Sequence, residues 1–79
     1  MSNGTRLKLM KYRDLVSKIR KAAKAKGVLF EMRRQKGSHQ MWTCGSTPVV
    51  IPKHSEVNEL TADNICKTLE AELGEGWWR

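Results

Sequence analysis

The chain has few cysteines, prolines and acidic residues, and no long apolar segment. Its two cysteines, Cys44 and Cys66, form neither a Cys-x-x-Cys pair nor the framework of a small secreted domain. We therefore expect free thiols, and a single disulfide is the alternative that the spacing leaves open. The N-terminus lacks the apolar stretch of a signal peptide, and no segment approaches the length that crosses a bilayer. The sequence thus favours a cytoplasmic protein without a membrane partner.

Positive charge is what the chain has in surplus. Its 79 residues, of which 39% are apolar, allow one small core and hence one domain. The formal charge is +7 and the pI is about 9.9, which makes a polyanion a candidate partner. Residues 1–36 carry twelve basic against two acidic side chains, a net of +10, and residues 37–79 carry three against six, a net of −3. The first half is predicted to supply a face for nucleic acid or an acidic protein. The competing interpretation is the solvated side of an amphipathic helix.

Apolar spacing predicts one helix followed by three short strands. The helix begins near Tyr12 and ends at Gly27, where a left-handed cap is expected. Its apolar stripe consists of Tyr12, Leu15, Val16, Ile19 and Ala23. The period then changes to two, which predicts strands from Val28 to about Arg34, over residues 39–44 and over residues 49–51. Glycines between the strands indicate two hairpins.

A second helix is predicted to close the fold. Residues 53–59 are expected to form a loop, and Thr61 is the expected N-cap, with Leu60 and Ile65 as a hydrophobic staple around it. Gly74 is expected to end this helix. Its apolar stripe consists of Ile65, Cys66, Leu69 and Leu73. The order of elements predicts an α+β fold in which both helices cover one face of a three-stranded antiparallel sheet.

The two ends of the chain lie outside this pattern. Residues 1–9 show no sustained period and are expected to form a flexible leader. Residues 75–79 form a tail in which Trp77 and Trp78 follow Gly74-Glu75-Gly76. Both rings either fold back onto the domain or anchor a partner, because tryptophan is enriched at binding hot spots. The sequence leaves that choice open, and it predicts a domain over residues 10–74.

His39 is the candidate for catalysis. Imidazole both accepts and returns a proton near neutral pH, and general acid–base catalysis contributes about 10²–10⁴-fold. In RNA the proton to remove is that of a 2′-hydroxyl, and adjacent cations would stabilise the charge on the phosphoryl oxygens. This route needs no metal ion. An isolated Gly-Ser-His is more often a surface histidine at a strand start. The cations next to it in sequence are Arg33, Arg34 and Lys36.

Other residues have weaker claims to a function. His54 is a candidate second proton donor or phosphate contact, and a solvated loop residue is the competing interpretation. Zinc binding is disfavoured because the histidines and cysteines lack paired ligand spacing, so we expect no metal. Trp42 is expected in the core, with base stacking on an exposed sheet face as the alternative.

Four spaced motifs together give a resemblance to a known family. In order they are Met10-Lys11-Tyr12-Arg13-Asp14-Leu15, Arg33-Arg34-Gln35-Lys36-Gly37-Ser38-His39, Val50-Ile51-Pro52-Lys53-His54, and Leu60 followed by the last helix. This ordered set resembles the HicA-type mRNA interferase toxins of HicAB toxin–antitoxin systems. The resemblance covers about residues 10–74. The basic first helix, the leader and the Trp-bearing tail depart from the compact family pattern.

The resemblance implies a fold, an activity and roles for residues. The fold is α-β-β-β-α and similar to a double-stranded-RNA-binding domain, and the activity is ribosome-independent cleavage of mRNA without a cofactor. A HicB-type antitoxin would inhibit it by covering the active site. The catalytic histidine corresponds to His39, positioned by Gly37 and Ser38, with Lys36 as an RNA contact. His54 matches the recurrent Pro-x-His after the third strand.

Two interpretations from other classes compete with an endoribonuclease. A non-catalytic RNA-binding module of the same fold would read duplex shape through phosphate and 2′-hydroxyl contacts and needs no histidine. A pure interaction protein would bind its partner through the tryptophan tail and have no affinity for RNA. Formation of cleaved RNA would distinguish the enzyme from the non-catalytic module. The salt dependence of RNA affinity would not, because both would bind RNA more weakly as salt rises.

Overall fold

The chain folds into an α+β domain, here described by a computed structural model over residues 9–79. Strands β2, β3 and β4 form an antiparallel sheet in that order, and β1 pairs with β5 in a separate two-stranded antiparallel ribbon. The predicted α+β class with a three-stranded antiparallel sheet is confirmed. In chain order the elements are β1 (Leu9–Lys11), α1 (Tyr12–Lys26), β2 (Phe30–Lys36), β3 (His39–Cys44), β4 (Thr47–Pro52), β5 (Glu56–Asn58), α2 (Glu59–Thr68) and α3 (Glu70–Leu73).

One face of the sheet, the core face, is covered by the helices. The predicted stripe of α1 is buried except for Tyr12, which is half-buried, and the predicted stripe of the last helix is buried as well. Trp42 lies in this core with its ring stacked on Phe30, and the ring centroids are 4.4 Å apart. Arg20 of α1 lies over both rings at 5.7 and 5.8 Å, so even a basic residue of this helix contributes to packing. Base stacking on Trp42 is thereby ruled out.

The second helix begins earlier than predicted and is divided. Asn58, not Thr61, is the N-cap, because its side-chain oxygen accepts the N–H of Leu60 at 2.7 Å. Leu60 is 68% exposed, so the predicted staple with Ile65 does not form. The helix is interrupted at Leu69 and its last turn, α3, ends before Gly74 as predicted.

The predicted loop over residues 53–59 is wrong at its C-terminal half. Glu56–Asn58 forms β5 and pairs with β1, with Met10 opposite Val57. Val57 is 2% exposed, and Met10 packs against the core. The ribbon therefore forms because it buries these two side chains and pairs the backbone above them. Of the predicted leader, Leu9 begins β1, and residues 1–8 lie outside the described part of the chain.

Strand β4 lies at one edge of the sheet, and two prolines occupy that edge. In an antiparallel pair, the backbone groups of successive residues point alternately towards and away from the partner strand. Two features fix this alternation in β4: the two-residue Gly45–Ser46 loop, and the hydrogen bond from the Lys53 N–H to the Ser38 carbonyl (2.6 Å). By that register, the nitrogens of Pro48 and Pro52 lie on the outer side of the strand. Neither proline therefore deprives the ladder of a donor, and both are tolerated.

The described tail is folded back onto the domain. The Trp77 indole N–H donates to the Cys66 carbonyl at 2.9 Å, and the ring of Trp78 meets that of Trp77 edge to face. Arg79 lies 5.0 Å from the ring centroid of Trp78. The sequence left open whether the two tryptophan rings fold back onto the domain or anchor a partner. In the structure they fold back onto the domain.

Both cysteines are free and buried. Burial raises the pKa of the Cys66 thiol to about 11 and also raises that of Cys44. The protonated, enclosed thiols are poor nucleophiles and ligands. Within residues 9–79, no helix combines the length and apolar character needed to cross a membrane.

Glu72 ties the last helix to the second hairpin, and we predict that this contact makes stability depend on pH. Its carboxylate accepts the Thr47 hydroxyl at 2.9 Å and the hydroxyl and N–H of Ser46 at 3.2 and 3.3 Å. These bonds, the Thr47 hydroxyl first, lower the pKa of Glu72 from 4.5. The contribution to stability is therefore complete above the unfolded-state pKa and is lost as the pH falls through the folded-state pKa.

Urea denaturation at pH 7 and pH 3 measures this contribution. Glu72→Gln should lose less stability than the wild type over that interval, because the amide does not titrate. Glu75→Gln, which removes an exposed carboxylate outside the hairpin contact, should lose as much as the wild type. An equal loss for Glu72→Gln would show that this carboxylate does not respond to pH as described.

Candidate active site

The Gly37-Ser38-His39 segment forms the tip of the first hairpin. Lys36 and His39 are directly opposite each other, and Gly37 and Ser38 form the two-residue loop between them. Gly37 has a φ of 59°, which the first position of such a loop requires and a side chain disfavours. The second hairpin uses Gly45 and Ser46 in the same way, with a φ of 60° and no histidine after it. The glycine is thus a requirement of the turn in both hairpins, whereas a histidine directly after the turn occurs only in the first.

A β-bulge in β2 decides which basic side chains share a face with His39. Regular alternation from Met32 would place Arg34 and Lys36 on the core face. The register shifts between Met32 and Arg34, so Met32 lies opposite Trp42 and Arg34 lies opposite Met41. The extra residue turns Arg34 and Lys36 to the other face. The bulge therefore brings two cations onto the side of the sheet that carries His39.

We call this side the open face, because none of the helices within residues 9–79 covers it. His39 is exposed, lies between Lys36 and Pro52 in the register, and therefore shares the open face with Met41, whereas Trp42 and Cys44 lie in the core. The next row of the sheet places Arg34, Met41 and Val50 side by side. The residues of the open face are Glu31, Arg34, Lys36, His39, Met41, Thr43, Pro48, Val50 and Pro52.

The loop after β4 brings His54 to the hairpin tip. The Lys53 N–H donates to the Ser38 carbonyl at 2.6 Å, and His54 Nε2 lies 3.2 Å from the Ser38 hydroxyl. Two contacts to one residue fix this loop beside the turn that precedes His39. His54 and His39, which are 15 positions apart in sequence, therefore border the same region.

Arg33 is the predicted RNA contact that the structure does not bring to His39. It is the extra residue at the bulge, and its guanidinium is ion-paired with Glu31, with 2.9 Å between Nη1 and Oε1. Both side chains are exposed, so this pair is weak and open to exchange.

A buried glutamine supports the site from the core face. Gln40 is 4% exposed, and its side-chain oxygen accepts hydrogen bonds from the Tyr12 hydroxyl and from the Trp42 indole N–H. Its amide nitrogen donates to the Gln35 side-chain oxygen at 2.9 Å, and Gln35 in turn donates to the Gly37 carbonyl at 3.0 Å. This network connects the hairpin tip with the start of α1.

Sequence reasoning did not single out three further cations near the site. Lys11, Arg13 and Lys53 line a cleft that His54 also borders. The available signal was their position inside the motifs around Tyr12 and His54, but short motifs do not reveal which parts of a chain meet in space.

The site brings together side chains of the kinds that proton transfer beside a phosphate requires. An exposed imidazole, two cations on the same face and a second imidazole at the adjacent loop are the groups needed to deprotonate a hydroxyl and stabilise an oxyanion. Among residues 9–79, no three His, Cys, Asp or Glu side chains come together as a metal-binding group. No family model, no curated protein and no solved structure matches the chain.

Proposed function

We propose that the chain is an endoribonuclease toxin of the HicA type, which cleaves mRNA by acid–base catalysis with His39. The observation that carries the proposal is the placement of His39 on the open face, exposed and beside Lys36, with Arg34 turned to the same face by the bulge. A histidine that served packing would be buried or hydrogen-bonded within the domain. Here the hydrogen-bonded polar side chain of β3 is Gln40, on the opposite face.

In the proposed reaction His39 removes the proton of a 2′-hydroxyl, whose oxygen attacks the adjacent phosphorus. The bond from phosphorus to the 5′-oxygen breaks, and that oxygen leaves with a proton from a general acid. Lys36 and Arg34 stabilise the charge on the phosphoryl oxygens. The products are a 2′,3′-cyclic phosphate and a free 5′-hydroxyl. His54, held at Ser38, is the candidate to supply the proton or to contact the phosphate.

The proposed fold relationship is to double-stranded-RNA-binding domains, with helices on one face of a three-stranded antiparallel sheet. The ribbon of β1 and β5 and the division of the last helix are additions to the α-β-β-β-α order. The proposed protein partner is a HicB-type antitoxin that covers the open face. Val50, 45% exposed, and Met41 give this face an apolar centre, and the cations around it favour an acidic partner.

Incubation of the purified protein with end-labelled mRNA in EDTA tests the proposal. We expect fragments that end in a cyclic or 3′-phosphate, because the 2′-hydroxyl is the nucleophile and no metal ion takes part. RNA in which the 2′-hydroxyls are replaced by hydrogen should remain intact, and it is the matched substrate control. Binding of mRNA without any cleavage would contradict the enzyme and favour the non-catalytic module.

A further inference from the structure

A basic cleft lies beside the proposed catalytic face, between the start of α1 and the loop after β4. Its volume is about 440 Å³. The Tyr12 N–H donates to the Ser55 carbonyl at 3.1 Å, which joins the two walls. The side chains and backbone that form the cleft belong to Lys11, Tyr12, Arg13, Lys53, His54 and Ser55.

Within residues 9–79 no ion pair neutralises the three cations of this cleft, and Glu56, opposite Lys11 in the ribbon, is the carboxylate next to it in the register. Lys11, Arg13 and Lys53 are exposed, and none of them forms an ion pair within residues 9–79, where Arg33 and Glu31 make the one salt bridge. All three residues line one concave surface, where a bound anion would be attracted to their charges. The cleft therefore fits an anionic ligand.

The cleft is also connected to the hairpin tip that carries His39 through the loop after β4. His54 borders the cleft and contacts Ser38, the residue before His39. Lys53 lines the cleft and donates its N–H to the carbonyl of the same serine. An anion in the cleft and an anion at His39 would thus lie on either side of one loop. Regularly repeated anions on one flexible chain are a property of single-stranded nucleic acid.

We propose that the basic cleft binds a backbone phosphate of the same RNA strand that His39 cleaves. This inference rests on the proposed function for the identity of the strand. The cleft fixes the register of the RNA on the protein, so that a neighbouring phosphodiester reaches the open face. It reads no base, because phosphate contacts position a nucleic acid without specifying its sequence.

The test measures RNA binding separately from cleavage. In a His39→Ala background, the double substitution Lys11→Ala and Arg13→Ala should weaken binding of a single-stranded RNA by about tenfold, since charged hydrogen bonds are lost. The slope of log affinity against log salt should decrease in magnitude by about 0.7, the value for one phosphate contact on a single strand. Fluorescence anisotropy over a salt series measures both quantities. Lys67→Ala, on α2 and outside the cleft, is the matched control and should leave the slope within error.

Kinetics on the otherwise wild-type chain give a second readout. The double variant should raise KM by about tenfold with kcat unchanged, because it loses binding away from the reacting atoms. Lys53→Ala should also raise KM, because it removes a cation of the cleft and retains the backbone hydrogen bond to Ser38. RNA affinity and salt slope equal to those of the Lys67→Ala control would overturn the cleft proposal.

The experiments distinguish an error in the phosphate-binding proposal for the cleft from an error in the proposed function. Cleavage by the wild type, with unchanged affinity in the double variant, overturns the cleft alone. Absence of cleavage by the wild type, with weaker RNA binding in the double variant, overturns the enzyme and retains the phosphate site. If the double variant instead loses affinity only for an acidic protein and not for RNA, the cleft is a protein-docking site and the proposal is wrong.

Discussion

His39→Ala should reduce the rate of mRNA cleavage by about 10²–10⁴-fold, the contribution of one positioned acid–base group. The side chain is exposed and makes no hydrogen bond within residues 9–79, so its removal should change stability by no more than about 0.5 kcal/mol. Affinity for RNA should change little, because Lys36 and Arg34 remain on the open face. Single-turnover cleavage together with anisotropy measures both quantities on the same preparation.

His54→Ala is the informative companion of this variant. As a general acid His54 would produce a loss of kcat, whereas as a phosphate contact it would produce a rise in KM. The proposed role of His39 would be refuted by a His39→Ala protein that cuts RNA at the wild-type rate. Such a result would direct attention to His54 as the catalytic group or to a contaminating nuclease.

Gln40→Leu should destabilise the domain by about 2 to 3 kcal/mol and reduce activity at temperatures where the wild type is folded. Leucine has a similar volume, so packing is preserved, but the indole N–H of Trp42 and the hydroxyl of Tyr12 lose their acceptor. A buried donor without a partner costs about 1–3 kcal/mol. Gln35 also loses its donor and is free to release the Gly37 carbonyl. Urea denaturation measures the first effect, and cleavage kinetics measure the second.

Tyr12→Phe is the matched control for Gln40→Leu. It removes one donor and leaves the Gln40 oxygen bonded to Trp42, so the expected loss is only about 0.5–1.5 kcal/mol. If Gln40→Leu were as stable as the wild type, hydrophobic replacement would compensate for the polar network, and the network would have no structural role.

Much of the fold follows from periodicity. The stripes of both helices and the alternation in β3 are determined by burial on one face, and burial is what sequence patterns record. The end of α1 at Gly27 and the hairpins at Gly37 and Gly45 follow from the left-handed conformation that glycine adopts at low cost. These features are local, so they are visible in a short window of sequence.

The ribbon of β1 and β5 was not predicted, because its strands are only three residues long and pair across 47 positions, as in Met10 with Val57. Three residues are too few for a period to be recognised. The N-cap at Asn58 was missed for the same reason. Because β5 ends at Asn58, helix α2 begins at the next residue, Glu59. A predicted loop in place of β5 put the N-cap at Thr61 instead.

The site was predictable in its composition and not in its geometry. His39 and Lys36 were identified from their positions in a motif, and the structure places them opposite each other. The bulge that turns Arg34 and Lys36 towards His39 adds one residue, Arg33, to strand β2. An arginine at this position does not indicate a bulge, so the sequence could not predict it. The pairing of Arg33 with Glu31 and the convergence of the cleft residues depend on tertiary contacts, which sequence spacing does not encode.

The prolines of β4 have a consequence for how copies of the chain meet in concentrated solution. An incoming strand needs alternating donors and acceptors, and along the outer side of β4 it finds the carbonyls of Pro48, Val50 and Pro52 but a single N–H, that of Val50. Growth of the sheet by addition of another chain is therefore disfavoured on this side. The protection leaves the side chains of the open face accessible, so the same strand that resists self-association still presents Val50 and Pro52 next to His39.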